Sequence, residues 1–326
     1  MDFEFHYHIT GIIAKRAGFS ESDSTTIAYA SQFVDDNNKI IIVKDKKTKE
    51  QYSNYVSQTK YILQPKKTLM RIYLVFHFVP GNPIIGADRR KDGKINLLNT
   101  TPNNDLAQTL MYKSFNSTPE SRLYRIGIAS HAYIDTWAHQ NFVGVDDSFN
   151  GFDMNPIPNV GHADALFNPD TINNTWNDNR LVDRYINNNA RFISAAEHLF
   201  NKYTEYLGSN VKWQTLEEEL LEAINVKNRE TRLYLYSKME PWLLPYNKNY
   251  FADKVINREV LGLEDPDDEF LSKFTVFKDL YWWKRGIIKE DTDWFKFQEA
   301  IKDHQTESLP LIDNICKLSG TDLSVI

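Results

Sequence analysis

His131, Asp135 and His139 stand four residues apart in SHAYIDTWAHQNF, and this spacing is the strongest chemical signal in the chain. In a helix, residues four apart lie one above another on nearly one face. Two imidazoles and a carboxylate on one stripe suit a divalent cation, or two cations close together. Two ligands at i and i+4 already make the metalloprotease helix motif. The surroundings are apolar on nearly every side: Ile126, Ile128, Ala129, Ala132, Ile134, Trp137 and Phe142. A helix apolar all round belongs inside a protein. Three buried ionisable groups there need a partner, and a cation supplies one.

Further ligand candidates lie on both sides of this stripe. His77 sits inside VFHFV, where a buried imidazole must hydrogen-bond or hold a cation. Asp35 and Asp36 end a helix with an apolar face, and one of them turning inward supplies a bridging carboxylate. His6 and His8 stand just ahead of the first helix, and His162 lies in GHADALFNPD beside Asp164 and Asp170. His198 and His304 fall in ordinary amphipathic helices and are left out of the set. Imidazole and carboxylate donors favour zinc, and also suit manganese or iron.

The elements that must position these groups read as mainly helical, with a small β insertion around residues 39–79. A short helix runs from Ile9 to a glycine stop at Gly18, and Ser20 caps a second helix ending at the run from Asp35 to Asn38. Residues 39–45 read as a strand, Tyr52 to Leu63 as further strand, and Thr68 to Val79 is ambiguous by periodicity. Pro102 to Phe115 suits a helix, and Thr118 with Pro119 opens the long helix that carries the stripe. Gly144 to Pro158 reads as a loop, and 180–207 as a long helix ending at Gly208. The remainder is helical in pattern, punctuated at Pro241, Pro245, Asp265 to Asp268 and Pro310. Tyr281, Trp282, Trp283 and Trp294 read as packing aromatics. A soft boundary near Gly208 divides a metal-binding domain, 1–207, from a helical C-terminal region, 208–326, packed on it.

Composition narrows the classes. With 326 residues and 41% hydrophobic content, a sizeable core is available. A net charge of −6 argues against a nucleic-acid scaffold and against a polybasic membrane-surface protein. It leaves room for a small phosphate-bearing substrate, because a metal supplies positive charge locally. The single cysteine, Cys316, forms no internal disulfide and no thiolate zinc site. The start MDFEFHYHIT has no signal-peptide pattern, and IYLVFHFVP is too short to span a bilayer as a helix, so the expected location is cytoplasmic. Arg89, Arg90 and Lys91 read as an exposed basic turn.

In this order, the candidates resemble the zinc-dependent phospholipase C and P1/S1 nuclease superfamily. The matching pieces are His6 in FHYHITGIIA, Asp35 in ASQFVDD, His77 in FHFVP, His131/Asp135/His139 in HAYIDTWAH, and His162 in GHADALFNPD. They cover about the first half of the chain. The whole sequence also looks like a bacterial family of uncharacterised proteins with this arrangement. The superfamily resemblance implies a mostly helical fold, a cleft with up to three zinc ions, and phosphoester hydrolysis, with Asp35 or Asp135 bridging metals or orienting hydroxide. The chain departs from the superfamily in three places. It begins MDFEF where the known enzymes carry an N-terminal Trp whose amine binds metal, so His6 or His8 is expected in that place. Three residues, not five, separate Asp135 from His139. Leu166 stands where an acid follows the last His, leaving Asp164 or Asp170 to substitute. Two other classes stay open: a metal-stabilised binding or structural protein whose catalytic centre has decayed, and an HD-type phosphohydrolase, although no His is directly followed by an Asp.

Overall fold

The computed structural model describes residues 1–59, 67–152, 159–253, 256–259 and 280–321. The fold is mainly α, as the periodicity indicates. The helices are α1 (Thr10–Ala17), α2 (Glu21–Asp36), α3 (Lys67–Phe76), α4 (Pro83–Arg89), α5 (Asp105–Phe115), α6 (Arg122–Ala138), α7 (Asn188–Leu207), α8 (Gln214–Ile224), α9 (Arg229–Met239), α10 (Tyr250–Asp253) and α11 (Asp293–Leu318). A π-helical turn, Glu4–Ile9, runs straight into α1, so the first helix begins ahead of the expected Ile9. Ser20 caps α2 as expected, its Oγ accepting from the Asp23 amide at 3.1 Å.

Helix α6 is the axis of the molecule. Every residue from Tyr124 to Ala138 is buried, and α2, α3, α5, α7 and α11 pack around it. Ile126, Ala129, Ile134 and Trp137 face one apolar cluster, and Tyr124 and Ile128 face another. Each fully buried isoleucine contributes about 1.5–3 kcal/mol. The closest approach is between α6 and α2. A Cβ placed on Gly127 would stand 2.6 Å from the Ile27 carbonyl oxygen and 2.6 Å from Ala30 Cβ. Only glycine lets α2 lie this near, and α2 carries Asp35 and the Ser31 carbonyl that meets His131. Gly127→Ala is therefore expected to cost about 1–3 kcal/mol by overpacking, which denaturant midpoints of the two proteins check.

The β structure differs from the local reading. Strands β1 (Ile42–Lys44) and β2 (Gln51–Ser53) form a hairpin, Val43 opposite Tyr52. The strand expected to run on to Leu63 stops at Ser53, residues 54–59 being irregular, and Lys67–Phe76 form helix α3, not strand; the expected strand residues beyond 59 lie outside the described residues. The hairpin is completed from far along the chain: β6 (Leu280–Trp283) pairs parallel to β1, and β5 (Ile256–Glu259) antiparallel to β6, in the order β2-β1-β6-β5. The expected aromatic cluster is thus partly strand, with Trp283 packed on Trp294. A second hairpin, β3 (Thr175–Asn177) with β4 (Tyr185–Asn187), precedes α7, which starts at Asn188 and not at 180. Pro310 lies inside α11 and does not end it. The expected loop tail 153–158 and the turn at 265–268 fall outside the described residues. No described helix is long and apolar enough to cross a membrane.

Candidate metal centre

Four elements converge on the α6 stripe. The π-turn brings His6, the end of α2 brings Asp35, the residue after α3 is His77, and the 162–170 loop brings His162 and Asp170. His139 is the residue that closes α6, its amide still bonded to the Asp135 carbonyl at 2.8 Å. Three groups result, each with ligand atoms within 4.8 Å of one another: His6–Asp35–His131, His77–His131–Asp135 and His139–His162–Asp170. The first two share His131 and form one buried inner cluster; the third is an outer cluster.

Asp135 is the hub. Its Oδ1 lies 3.2 Å from His6 Nε2, and its Oδ2 lies 3.3 Å from both His77 Nδ1 and His131 Nε2. The amino group of Met1 contacts Asp135 Oδ1 and stands 3.2 Å from Asp170 Oδ1. Asp170 also meets His139 Nε2 at 3.2 Å and His162 Nε2 at 3.1 Å. Asp35 approaches His131 Nε2 at 3.7 Å and His77 Nδ1 at 3.8 Å, and accepts from Gln58 Nε2 at 3.1 Å.

Backbone carbonyls fix the histidines. His131 Nδ1 bonds the Ser31 carbonyl at 2.9 Å, His77 Nε2 that of Ser57 at 3.0 Å, His139 Nδ1 that of His77 at 2.7 Å, and His162 Nδ1 that of Leu166 at 2.9 Å. A carbonyl only accepts, so each of these nitrogens carries the proton and the other is left with a lone pair. Those lone pairs face inward. His131 Nε2 and His77 Nδ1 stand 3.1 Å apart. In their neutral forms two lone pairs would oppose each other there, which a shared cation relieves. Neither ring nitrogen of the fully buried His6 makes a hydrogen bond, although its ring stacks on His131 with centroids 3.8 Å apart.

Electrostatics follow from this packing. Burial works against the charge on Asp135, but the Met1 amine and His139, His131 and His6 outweigh it and hold the carboxyl well below its usual range. Burial likewise opposes the Asp170 charge, and His162 and the amine outweigh it. Burial pushes His6 down to about 4, helped by His131 and the amine. Burial pulls the Met1 amine down, yet Asp135 and Asp170 overcome this and raise it to about 11.

Eight of the ten candidate ligands thus meet: His6, Asp35, His77, His131, Asp135, His139, His162 and Asp170. His8 and Asp164 lie outside these groups. Two residues on from His6 in the π-turn, His8 turns the other way and packs on Phe3 and Tyr236. Asp164 accepts from the Phe152 amide at 2.6 Å. Asp36, one residue past Asp35, takes the Tyr246 hydroxyl at 2.6 Å. The Met1 amine reaches both Asp135 and Asp170, beside His6 and His139; residue types give no signal for a backbone amine. The supposed basic turn is also used internally. Arg90 is buried, paired with Asp92 at 2.8 Å and stacked 3.9 Å over Phe149, and Arg89 bonds Gln140.

The π-turn is itself anchored from the far end of the chain. Glu4, fully buried, takes Arg232 Nε at 2.8 Å and Nη2 at 2.6 Å from α9, with Arg229 at 3.3 Å. This two-pronged pair fixes the direction in which Met1 and His6 point.

Residues 1–311 match the family described as "Family of unknown function (DUF6765)", and the chain belongs to it. No curated protein and no solved structure matches the chain.

Proposed function

We propose that this chain is a metal-dependent hydrolase of phosphoric esters, as the resemblance to the phospholipase C and P1/S1 nuclease superfamily implies. The observation that carries the metal reading is the pair of imidazole nitrogens 3.1 Å apart, each ring's other nitrogen already on a carbonyl. His6, Asp35, His77, His131 and Asp135 would hold an inner ion. His139, His162 and Asp170 would hold an outer one. This all-nitrogen-and-oxygen donor set fits zinc first, then manganese or iron. Bound divalent ions would supply an acidified water and neutralise phosphate oxygens.

The residues themselves do the positioning. Asp135, with a side chain 1% exposed, presents one oxygen to His6 and the Met1 amine and the other to His77 and His131. It is the carboxylate that would contribute to both sites. Asp35 is 27% exposed and Asp170 and His162 are each 19% exposed, so solvent reaches the centre on their side. A purely structural site is closed; an open side is what catalysis requires. Asp35, at that open side and held by Gln58, would be the carboxylate that takes a proton from water.

The test is metal analysis of protein purified without added metal, beside a His131→Ala/Asp135→Ala variant, followed by p-nitrophenyl phosphate and bis(p-nitrophenyl) phosphate assays. Wild type is expected to carry metal and turn over at least one ester, and the variant to do neither. Equal metal content in both proteins removes the site. Metal without turnover, after loading with zinc or manganese, replaces the hydrolase with a metal-stabilised binding protein.

A further inference from the structure

Asp170 sits on a loop with no regular structure, yet every backbone carbonyl from 168 to 171 is engaged. Asn188, the first residue of α7 and fully buried, donates its Nδ2 to the carbonyls of Asn168 and Thr171, both at 2.7 Å. Arg191, one turn on, donates Nη2 to the Pro169 carbonyl at 2.9 Å and Nη1 to the Ala138 carbonyl at 3.4 Å. The carbonyl of Asp170 itself accepts from the Asp2 amide at 3.1 Å. Arg191 also donates to Asn188 Oδ1 at 2.8 Å, where Trp176 Nε1 adds a bond at 3.1 Å. The amide of Asn188 is therefore fully used, and no other side chain of its size offers two donors and an acceptor in that arrangement.

The placement is selective. The carbonyls held by this pair flank Asp170 on both sides and immediately precede His139. The pair makes no hydrogen bond to a side chain of the inner cluster. The loop also stores strain: Leu166 takes φ 55° and ψ −133°, a conformation glycine tolerates and leucine does not, while its carbonyl holds His162. A strained loop keeps such a shape only when something outside it fixes the chain.

We infer that Asn188 and Arg191 are positioning residues for the outer metal site, setting the affinity of His139, His162 and Asp170 without touching the ion. This rests on the metal reading above and concerns which residues tune one of its two sites.

The test is a competitive zinc titration of the metal-stripped full chain, with His162→Ala marking which binding step belongs to the outer residues. Arg191→Met and Asn188→Ala are each expected to weaken that step by about 10–100-fold, the range for partners that orient ligands, and to leave the other step in place. Arg191→Lys keeps the charge but cannot span two carbonyls with one ammonium, so it should recover only part of the loss. It also serves where the methionine variant does not accumulate. With cobalt in place of zinc, only the absorption bands lost in His162→Ala should change. Variants that titrate as wild type, or that weaken both steps together with the melting temperature, overturn the positioning role. A wild-type chain that binds no zinc overturns the metal reading itself, and so separates the two failures.

Discussion

Asp135→Asn is expected to abolish tight binding at both metal sites while leaving a side chain of the same size in α6. Asp135 Oδ1 serves His6 and the Met1 amine, and Oδ2 serves His77, His131 and, at 3.6 Å, His139 Nδ1. An amide turns one oxygen into a donor, so whichever way it settles, one half of the centre faces N–H groups instead of a lone pair. The affinity loss should exceed the roughly 10–100-fold typical of a residue that only orients a ligand. Stability should fall as well, because removing one partner of a buried ion pair costs about 3–5 kcal/mol. The amine keeps Asp170 at 3.2 Å, which places the expected loss near the lower end. Zinc titration and urea denaturation of the same preparation read the two effects. An Asp135→Asn variant that binds zinc as tightly as wild type would show that the hub is only a packing feature.

Metal withdrawal is expected to have the next largest effect. An ion held at 100 times its dissociation constant adds about 2.7 kcal/mol to the folded state. Two ions should therefore raise the melting temperature by roughly 10–20 °C, at about 2–4 °C per kcal/mol for large domains. Stripping with a chelator at pH 7.5 should lower it by that amount, and zinc should restore it. The gap should narrow as pH falls, because protons compete with the ion for the free imidazole nitrogens, those of His77 and His162 before that of His6, which burial holds down at about 4. Differential scanning calorimetry of loaded and stripped protein between pH 5 and 8 gives both numbers. Identical melting curves would count against any resident ion.

The α6 stripe was legible because helix periodicity places residues four apart on one face and the neighbouring isoleucines declare burial. Asp35 against Asp36 was not, since adjacent positions on a helix end differ by about 100° and only the fold decides which one faces inward. His6 against His8 is the same problem made harder by the π-turn, whose pitch no local pattern announces. The sheet was hidden for another reason. β1 finds its partner at Tyr281 and Trp282, and pairing between distant segments leaves no trace in a short window. Thr68 to Val79 read ambiguously because a short apolar run fits either a buried strand or a buried helix. The carbonyl acceptors of Ser31, Ser57, His77 and Leu166 escape any reading by residue type, because the backbone offers them everywhere.

The ion pair between Glu4 and Arg232 joins residues 228 positions apart. A nascent chain therefore cannot lock its leading segment until α9 has emerged from the ribosome, on the order of 10–50 s after Glu4 is made at ordinary translation speeds. Until then Met1 and His6 lack their anchor, and the convergence of His6 on Asp135 waits for α9.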